Sequence, residues 1–189
     1  PLLLDIYNKY NIKSTFFVTA YIAKLYPNIV HMIVNNGHEI ASHGKSHITK
    51  NGFDIMPFQK QKEHLDYSKK VLEDISGQEV ISFRAPALRV SSLTARALIE
   101  TGFKIDSSVA SQRFDFFLSF GSKNKMRFWF SPRLPYRTKV NNIFSKGNSE
   151  LLEIPLSASI LPFMGSTLRS MPKITKLQQK LLNWESNIT

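Results

Sequence analysis

Residues 37–47 read GHEIASHGKSH and combine a helix stop, a short apolar run and two histidines. Gly37 follows a helical pattern, at the position where a glycine commonly ends a helix. The run over residues 38–41 predicts a strand. His43 and His47 come directly after that strand, four residues apart. The stretch therefore predicts a helix, then a strand with two candidate metal ligands at its C-terminal end.

Helical and strand patterns alternate on both sides of this stretch. Helices are predicted over 1–10, up to residue 36 with a break near Pro27, and over 57–75, 91–101 and about 174–184; strands are predicted over 15–18, 38–41, 80–83, 103–105 and 151–154. This alternation is typical of an α/β fold with a mostly parallel sheet or barrel. Because such folds keep their chemistry at the C-terminal ends of the strands, His43, Arg84 and Asp106 are expected at that edge.

The spacing of apolar residues predicts an apolar face on each of two helices. One face of the first helix carries Leu3, Ile6, Tyr7 and Tyr10, and the expected core face of the 57–75 helix carries Phe58, Leu65, Leu72 and Ile75. Ser91 or Ser92 is the expected N-cap of the helix that follows.

The spacing of the two histidines suits a metal site. An H-x-x-x-H pair can place both imidazoles on one face of a helical turn, from which they can bind one divalent ion at ~2.0–2.1 Å. Gly44 gives the turn freedom, and Ser42 and Ser46 can orient the rings or cap it. The alternative is a polar loop with two exposed histidines. A catalytic metal usually takes a third protein ligand, but Asp5, the nearest upstream carboxylate, is predicted to be a surface residue.

The charge of the chain is positive and uneven. The net charge is +11, and residues 1–108 carry 13 Lys/Arg against 10 Asp/Glu, whereas residues 109–189 carry 12 against 4. The basic half is compatible with an anionic polymer, a membrane surface or nucleic acid as partner. A lysine-rich surface without a partner explains the same composition.

Residues 109–150 interrupt the alternation of helices and strands. The segment is rich in Phe and Lys/Arg, includes Trp129, and has eight Lys/Arg against one Asp and one Glu. It is interpreted as an insertion between barrel elements. A polymer-binding rim is one possible use, and packing of an irregular loop on the barrel is the preferred explanation.

Composition excludes several kinds of chemistry. The chain contains no cysteine, so disulfides, thiolate metal ligands and a cysteine nucleophile are absent. No apolar run reaches the ~20 residues of a transmembrane helix. The first residues, Pro1 to Asp5, lack the features of a signal peptide, and the chain is expected to be part of something longer.

Five motifs occur in an order that resembles one family. They read KSTFFV, NNGHEIASHGKSH, FRAP, GFKIDSS and LLEIPLS. In this order they resemble the polysaccharide deacetylases, the NodB homology or carbohydrate esterase family 4 group, and in particular its bacterial exopolysaccharide and cell-wall members. The resemblance implies a distorted (β/α) barrel, with residues 1–189 forming a single domain that is incomplete at both ends.

The resemblance also implies roles for individual residues. His43 and His47 would bind zinc or another divalent metal. Arg84 would orient the catalytic carboxylate through a charge-assisted hydrogen bond. Asp106 is grouped with Arg84 as a catalytic residue. Its motif, DSS, departs from the commoner family form, so two roles stay open: lining the wall of the active site and supporting the site from behind. Pro86, which shapes its loop, and Trp129 are assigned to substrate binding.

The resemblance is incomplete at the two ends of the chain. The family begins with a Thr-Phe-Asp-Asp strand, which supplies a metal ligand and the general base, and its late motif carries a histidine that acts as general acid. Neither is present here. The completing carboxylate is therefore expected outside this chain, and the chain alone is expected to be nearly inactive.

The function that the resemblance implies is zinc-dependent removal of N-acetyl groups from a cell-wall polysaccharide or exopolysaccharide. The alternatives are a non-catalytic glycan-binding module of the same fold and a hydrolase of small non-peptide amides. The expected partner is an N-acetylated glycan, and nucleic acid is not expected. The cell envelope and a cytoplasmic role in exopolysaccharide synthesis both stay open, as do membrane association and oligomeric state.

Overall fold

The structure, a computed structural model, describes residues 2–48, 50, 52–111, 127, 128 and 130–156, together with residues 173, 176, 177, 179–181 and 183. Its helices are Leu2–Lys9 (α1), Ala20–Leu25 (α2), Pro27–Asn35 (α3), Phe58–Ser76 (α4) and Thr94–Glu100 (α5). Its strands are Thr15–Val18 (β1), Glu39–Ser42 (β2), Ser82–Phe83 (β3), Ile105–Asp106 (β4), Tyr136–Lys139 (β5), Asn142–Lys146 (β6) and Leu152–Glu153 (β7).

The described strands form one sheet in the order β1-β2-β3-β4-β7-β5-β6. The pairs from β1 through β4 to β7 are parallel, whereas β5 is antiparallel to both β7 and β6. The α/β class predicted from the alternation is confirmed. The parallel part requires crossover connections, and helices α2, α3, α4 and α5 occupy those connections.

Most helix boundaries follow local chemistry. The break near Pro27 separates α2 from α3, because proline fits the first turn of a helix but cannot continue one. Gly37 then adopts a φ of 73° in the turn after α3, as its position in the sequence predicts. The predicted cap at Ser91 or Ser92 is wrong: α5 begins at Thr94, whose hydroxyl accepts a hydrogen bond from the backbone N–H of Ser91.

The hydrophobic core takes buried residues from the sheet and from all five helices. Leu65 and Leu72 of α4 are fully buried, as predicted, and Phe83 of β3 makes an edge-on aromatic contact with Phe103 at 5.7 Å. The face predicted for α1 is mostly exposed, and its buried residue is Leu4 instead. Helix α1 therefore packs on the core through a narrower face than its sequence indicates.

The described part of the 109–150 segment is not an irregular loop. It contains the antiparallel hairpin β5–β6, which joins the sheet through β7. Side chains of β5 alternate between buried and exposed, the pattern of a strand with one covered face. Phe128 packs edge-on against Phe144 with ring centroids 5.1 Å apart. Residues 112–126 and Trp129 lie outside the described residues, as does most of the helix predicted at 174–184.

None of the helices in the described ranges combines the length and apolar character that a membrane span requires.

Candidate active site

One row of residues crosses the parallel part of the sheet near its C-terminal edge. The register pairs Val18 with Ser42, Ser42 with Phe83, Phe83 with Asp106, and Asp106 with Glu153. The ladder continues one residue further on each strand. It therefore brings the residues that follow the strands side by side.

Backbone hydrogen bonds fix this next row. The N–H of His43 donates to Val18 O, that of Arg84 to Ser42 O, and that of Ser107 to Phe83 O, at 2.9 to 3.0 Å. Two of the predicted site residues, His43 and Arg84, thus lie on neighbouring strand ends, as the alternation of helices and strands indicates.

The loop that carries the histidines is held by the turn after β2. Gly44 has a φ of 74°, a conformation that L-residues with a side chain rarely adopt, and its N–H donates to Ser42 Oγ at 3.1 Å. The first N–H groups of α2, at Ala20 and Tyr21, donate to the carbonyls of Gly44 and Lys45. Residues 43–48 are not helical, so the four-residue spacing does not correspond to a helical turn here.

His43 is oriented by a single strong contact. Its Nδ1 lies 2.6 Å from the carbonyl oxygen of Arg84, which can only accept, so Nδ1 carries the proton and Nε2 keeps its lone pair. Partial burial lowers the pKa of His43, and the charges of His47 and Arg84 lower it further, while the hydrogen bond to Arg84 acts in the opposite direction. A lowered pKa favours the neutral ring, which is the form that binds a metal.

His47 completes the pair from the exposed side of the loop. Its ring centroid lies 5.3 Å from that of His43. Two imidazoles at this separation, one with its second nitrogen already bonded to a carbonyl, fit a zinc ion, because ligating histidines commonly donate their other N–H in this way. Within the described ranges no third His, Asp or Glu joins them. Asp5 is exposed on α1, as predicted.

Arg84 is fixed as a planar group. Its Nε donates to the carbonyl of Ser107 at 2.9 Å and its Nη2 to the hydroxyl of Ser107 at 2.6 Å. The Ser107 hydroxyl in turn donates a hydrogen bond to Ile154 O at 2.7 Å. The guanidinium also stacks on Phe17, 4.3 Å from the ring centroid. Burial lowers the pKa of Arg84, and the nearby Asp106 and Glu153 counteract this effect.

Asp106 lies one residue behind the row formed by His43, Arg84 and Ser107. It belongs to β4 and is 0% exposed. Its oxygens accept hydrogen bonds from Ser108, from the hydroxyl at 2.6 Å and from the N–H at 3.3 Å. Of the two roles left open for Asp106, support of the site from behind agrees with this burial better than contact with a substrate does.

Glu153 is the residue that the sequence analysis missed. It pairs with Asp106 across β4 and β7 and is also 0% exposed. Burial and the adjacent Asp106 charge raise the pKa of Glu153 well above its usual value. The signal was present in the sequence, because a single glutamate interrupts the apolar strand LLEIP, and acidic residues are seldom buried without a specific reason.

Pro86 lies against the histidine loop. It is buried and begins the short 3-10 turn Pro86–Leu88. A Cβ on Gly44 would be 3.6 Å from the Pro86 ring, so the two loops are in close contact. Ala87 and Leu88 have φ values of 52° and 55°, unfavourable for residues with side chains and commonest near functional sites. Trp129, the other predicted substrate-binding residue, lies outside the described residues.

Known proteins resemble this chain in sequence and in fold. The chain is 30% identical over 114 residues to a peptidoglycan deacetylase of Helicobacter pylori, covering 60% of this chain but only 38% of that protein. A crystal structure described as that of a candidate polysaccharide deacetylase from Mycobacterium smegmatis superposes with a TM-score of 0.62 at 28% identity, over 82% of this chain and 44% of the other. The sequence thus spans less than half the length of both relatives.

A third comparison concerns the fold alone. An allantoinase superposes with a TM-score of 0.56 at 24% identity, over 82% of this chain and 42% of its own.

Residues 1–105, more than half of the sequence, match the model of the polysaccharide deacetylase family. With the order of motifs and the strand-end site, this match shows that the chain belongs to the polysaccharide deacetylase family.

Proposed function

We propose that this protein is a metal-dependent hydrolase that removes N-acetyl groups from a polysaccharide. The observation that carries the proposal is the contact between Nδ1 of His43 and the carbonyl of Arg84 at 2.6 Å. It joins a candidate metal ligand to the backbone of the residue that carries the guanidinium on the next strand end, and it leaves Nε2 available for a metal. Family membership supports the reaction class.

Each residue of the site has a separate task in this proposal. His43 and His47 bind a zinc ion, with His43 pre-oriented by the carbonyl of Arg84. Such an ion supplies Lewis-acid polarisation of an acetyl carbonyl and a lowered pKa for water. Arg84, held flat by Ser107 and Phe17, presents its remaining N–H groups to a carboxylate. That carboxylate would accept the proton of the attacking water.

An N-acetylated cell-wall glycan is the substrate class that we favour. The named activity of the Helicobacter pylori relative, peptidoglycan deacetylase, supports this choice. The exposed cations of the β5–β6 hairpin, such as Arg137 and Lys139, also suit a polymer that carries acidic groups.

The test compares metal content and acetate release in four versions of the full-length gene product, because this chain alone is expected to be nearly inactive. These are the unaltered protein, His43→Ala, His47→Ala and, as a matched control, His31→Ala, which removes an exposed histidine of α3. Each site variant is expected to lose stoichiometric zinc and acetate release from an N-acetylated oligosaccharide, while His31→Ala keeps both. Unchanged zinc content in both site variants would refute the metal site. If the unaltered protein binds zinc and the glycan but releases no acetate, a glycan-binding module would be favoured instead.

A further inference from the structure

Two buried carboxyl groups lie next to each other behind the site. Asp106 of β4 and Glu153 of β7 are register partners in parallel strands, so their side chains leave the sheet on the same side. Both are 0% exposed. The two carboxyl groups are within hydrogen-bonding reach of each other.

The hydrogen bonds of the pair are unequal. Both Asp106 oxygens accept from Ser108, and Glu153 Oε1 accepts from the N–H of Val109 at 2.9 Å. Glu153 Oε2 is buried and receives no hydrogen bond from any described residue. A bare carboxylate oxygen in this position is unfavourable, since it has lost water without gaining a donor. A proton on Oε2 removes the difficulty, because the group then donates to Asp106.

The surrounding charges point the same way. Arg84 acts on the pair electrostatically, but its hydrogen bonds go to Ser107, and no ion pair within 4.0 Å joins it to either carboxyl among the described residues. Tyr136, the neighbour of Glu153 on β5, donates its hydroxyl to Ile143 O. Burial raises the pKa of Tyr136, and the acidic pair raises it further. One cation, not in direct contact, does not neutralise two adjacent buried carboxylates.

Asp106 is also connected to the backbone that carries Arg84. The Ser108 hydroxyl donates to Asp106 Oδ1 at 2.6 Å and accepts from the N–H of Ala85 at 2.9 Å. A negative charge on Asp106 fixes the direction of that hydroxyl, since its only hydrogen is then committed to the carboxylate. The peptide directly after Arg84 is held as a result.

We propose that Asp106 and Glu153 share a single proton, carried by Glu153 Oε2, and that the one negative charge left on the pair positions Arg84 for the reaction. The two residues are positioning residues, because neither reaches the row where a substrate would bind. The proton-sharing part stands independently of the reaction, whereas the role toward Arg84 rests on the proposed function.

The first experiment measures the proton directly. The side-chain carboxyl carbons of Asp106 and Glu153 are followed by ¹³C NMR against pH in the unaltered protein, with assignments from Asp106→Asn and Glu153→Gln. We expect one protonated and one ionised carboxyl at neutral pH, with the proton lost only in the alkaline range. In Glu153→Gln, Asp106 is expected to be ionised at neutral and alkaline pH. Two ionised carboxyls at neutral pH would overturn the proposal, whether or not the protein is an active deacetylase.

The second experiment separates positioning from mere packing. Glu153→Gln keeps the negative charge on Asp106, and Asp106→Asn is expected to move it to Glu153, whereas the double variant keeps no charge. The double variant is expected to lose ~10-fold or more in kcat, a loss larger than the product of the two single effects, with little change in KM. The alkaline limb of the pH profile is expected to shift in Glu153→Gln.

The matched control is Glu150→Gln, an exposed glutamate just before β7, which is expected to leave both the pH profile and kcat unaltered. If the double variant stays folded and as active as the single variants, the pair has only a packing role. If no variant, nor the unaltered protein, releases acetate, the proposed function fails while the NMR titration still decides the shared proton.

Discussion

At His43 a backbone carbonyl does the orienting that a carboxylate does in many metal sites. Because that carbonyl belongs to Arg84, the residue that orients the proposed metal ligand is also the one that carries the guanidinium. Ser107 then fixes the guanidinium through two hydrogen bonds, and its hydroxyl connects to Ile154 after β7. Residues far apart in the sequence therefore act as one unit, so a change in one of them is expected to affect its neighbours.

Arg84→Lys tests whether the shape of the side chain matters as well as its charge. A lysine keeps the positive charge but cannot reach both the carbonyl and the hydroxyl of Ser107 in one plane. We expect acetate release to fall by at least ~10-fold, with little change in thermal unfolding temperature. Phe17→Leu, which removes the stacking ring but no hydrogen bond, is expected to have a smaller effect. Full activity in Arg84→Lys would contradict the orienting role.

The pH dependence of stability offers a test that needs no substrate. Glu153 has a raised pKa in the folded protein because it is buried beside Asp106, whereas its unfolded value is about 4.3. Between the two values only the folded protein binds the proton. The free energy of unfolding is therefore expected to fall as pH rises, by about 1.4 kcal/mol per pH unit, until pH passes the folded pKa.

The amide of Glu153→Gln cannot release a proton, so this contribution is absent from the variant. Urea unfolding should therefore show that the free energy of unfolding of Glu153→Gln, relative to that of the unaltered protein, increases from about pH 5 upward. Glu150→Gln, whose side chain is exposed, serves as the control and should follow the unaltered protein. Parallel curves for the unaltered protein and Glu153→Gln would argue against a protonated Glu153.

At the scale of elements, local chemistry explains what could be predicted. Gly37 ends its helix where the sequence indicates, and the apolar runs before His43 and Arg84 form parallel strands. The hairpin β5–β6 was not predicted, because its aromatic and basic residues do not show an alternation of apolar and polar side chains. The alternation appears only in the burial of the β5 side chains. Polar residues after a strand are visible in a sequence, but the partner of a strand is not.

Gly44→Ala tests how the histidine loop depends on one backbone conformation. The new Cβ would meet Phe53 and Pro86 at ordinary contact distances of 3.6 Å, so the cost comes from the φ of 74°. We expect a loss of about 1–2 kcal/mol in the free energy of unfolding and about tenfold weaker zinc binding, since both proposed ligands move. Gly77→Ala, with a φ of 68° and open space around it, is the matched control.

In the control we expect the same loss of stability and no loss of zinc affinity. Isothermal titration with zinc and urea unfolding measure the two quantities separately. Equal zinc affinity in Gly44→Ala and Gly77→Ala would show that the loop reaches its geometry without the left-handed residue.

At the scale of the whole molecule, sheet order decides which residues meet. Strand β4 pairs with β7, although the β5–β6 hairpin lies between them in the sequence. That pairing places Asp106 against Glu153, 47 residues later, and Ser107 against Ile154 O. The histidine pair could be found from the sequence because its members are local. The carboxyl pair could not, since it exists only after two distant strands align.

The charge distribution gives the last prediction, which concerns glycan binding. The chain carries a net charge of +11, and several exposed cations lie on the hairpin, among them Arg137, Lys139 and Lys146. Exposed charges are screened beyond about 8 Å at physiological ionic strength. We therefore expect binding of an acidic, N-acetylated glycan to weaken as salt rises, and to weaken further in the double variant Lys139→Gln/Lys146→Gln.

Net charge alone would produce part of that effect, so the control must change it equally. The double variant Lys9→Gln/Lys70→Gln also removes two exposed lysines, but from helices α1 and α4. If the hairpin contacts the glycan, only the hairpin variant should lose affinity and show a shallower salt dependence in titration calorimetry. Equal losses in both variants would mean that the whole molecule attracts the glycan from a distance. No loss in either would leave the hairpin as a packed extension of the sheet, with its lysines serving the surface alone.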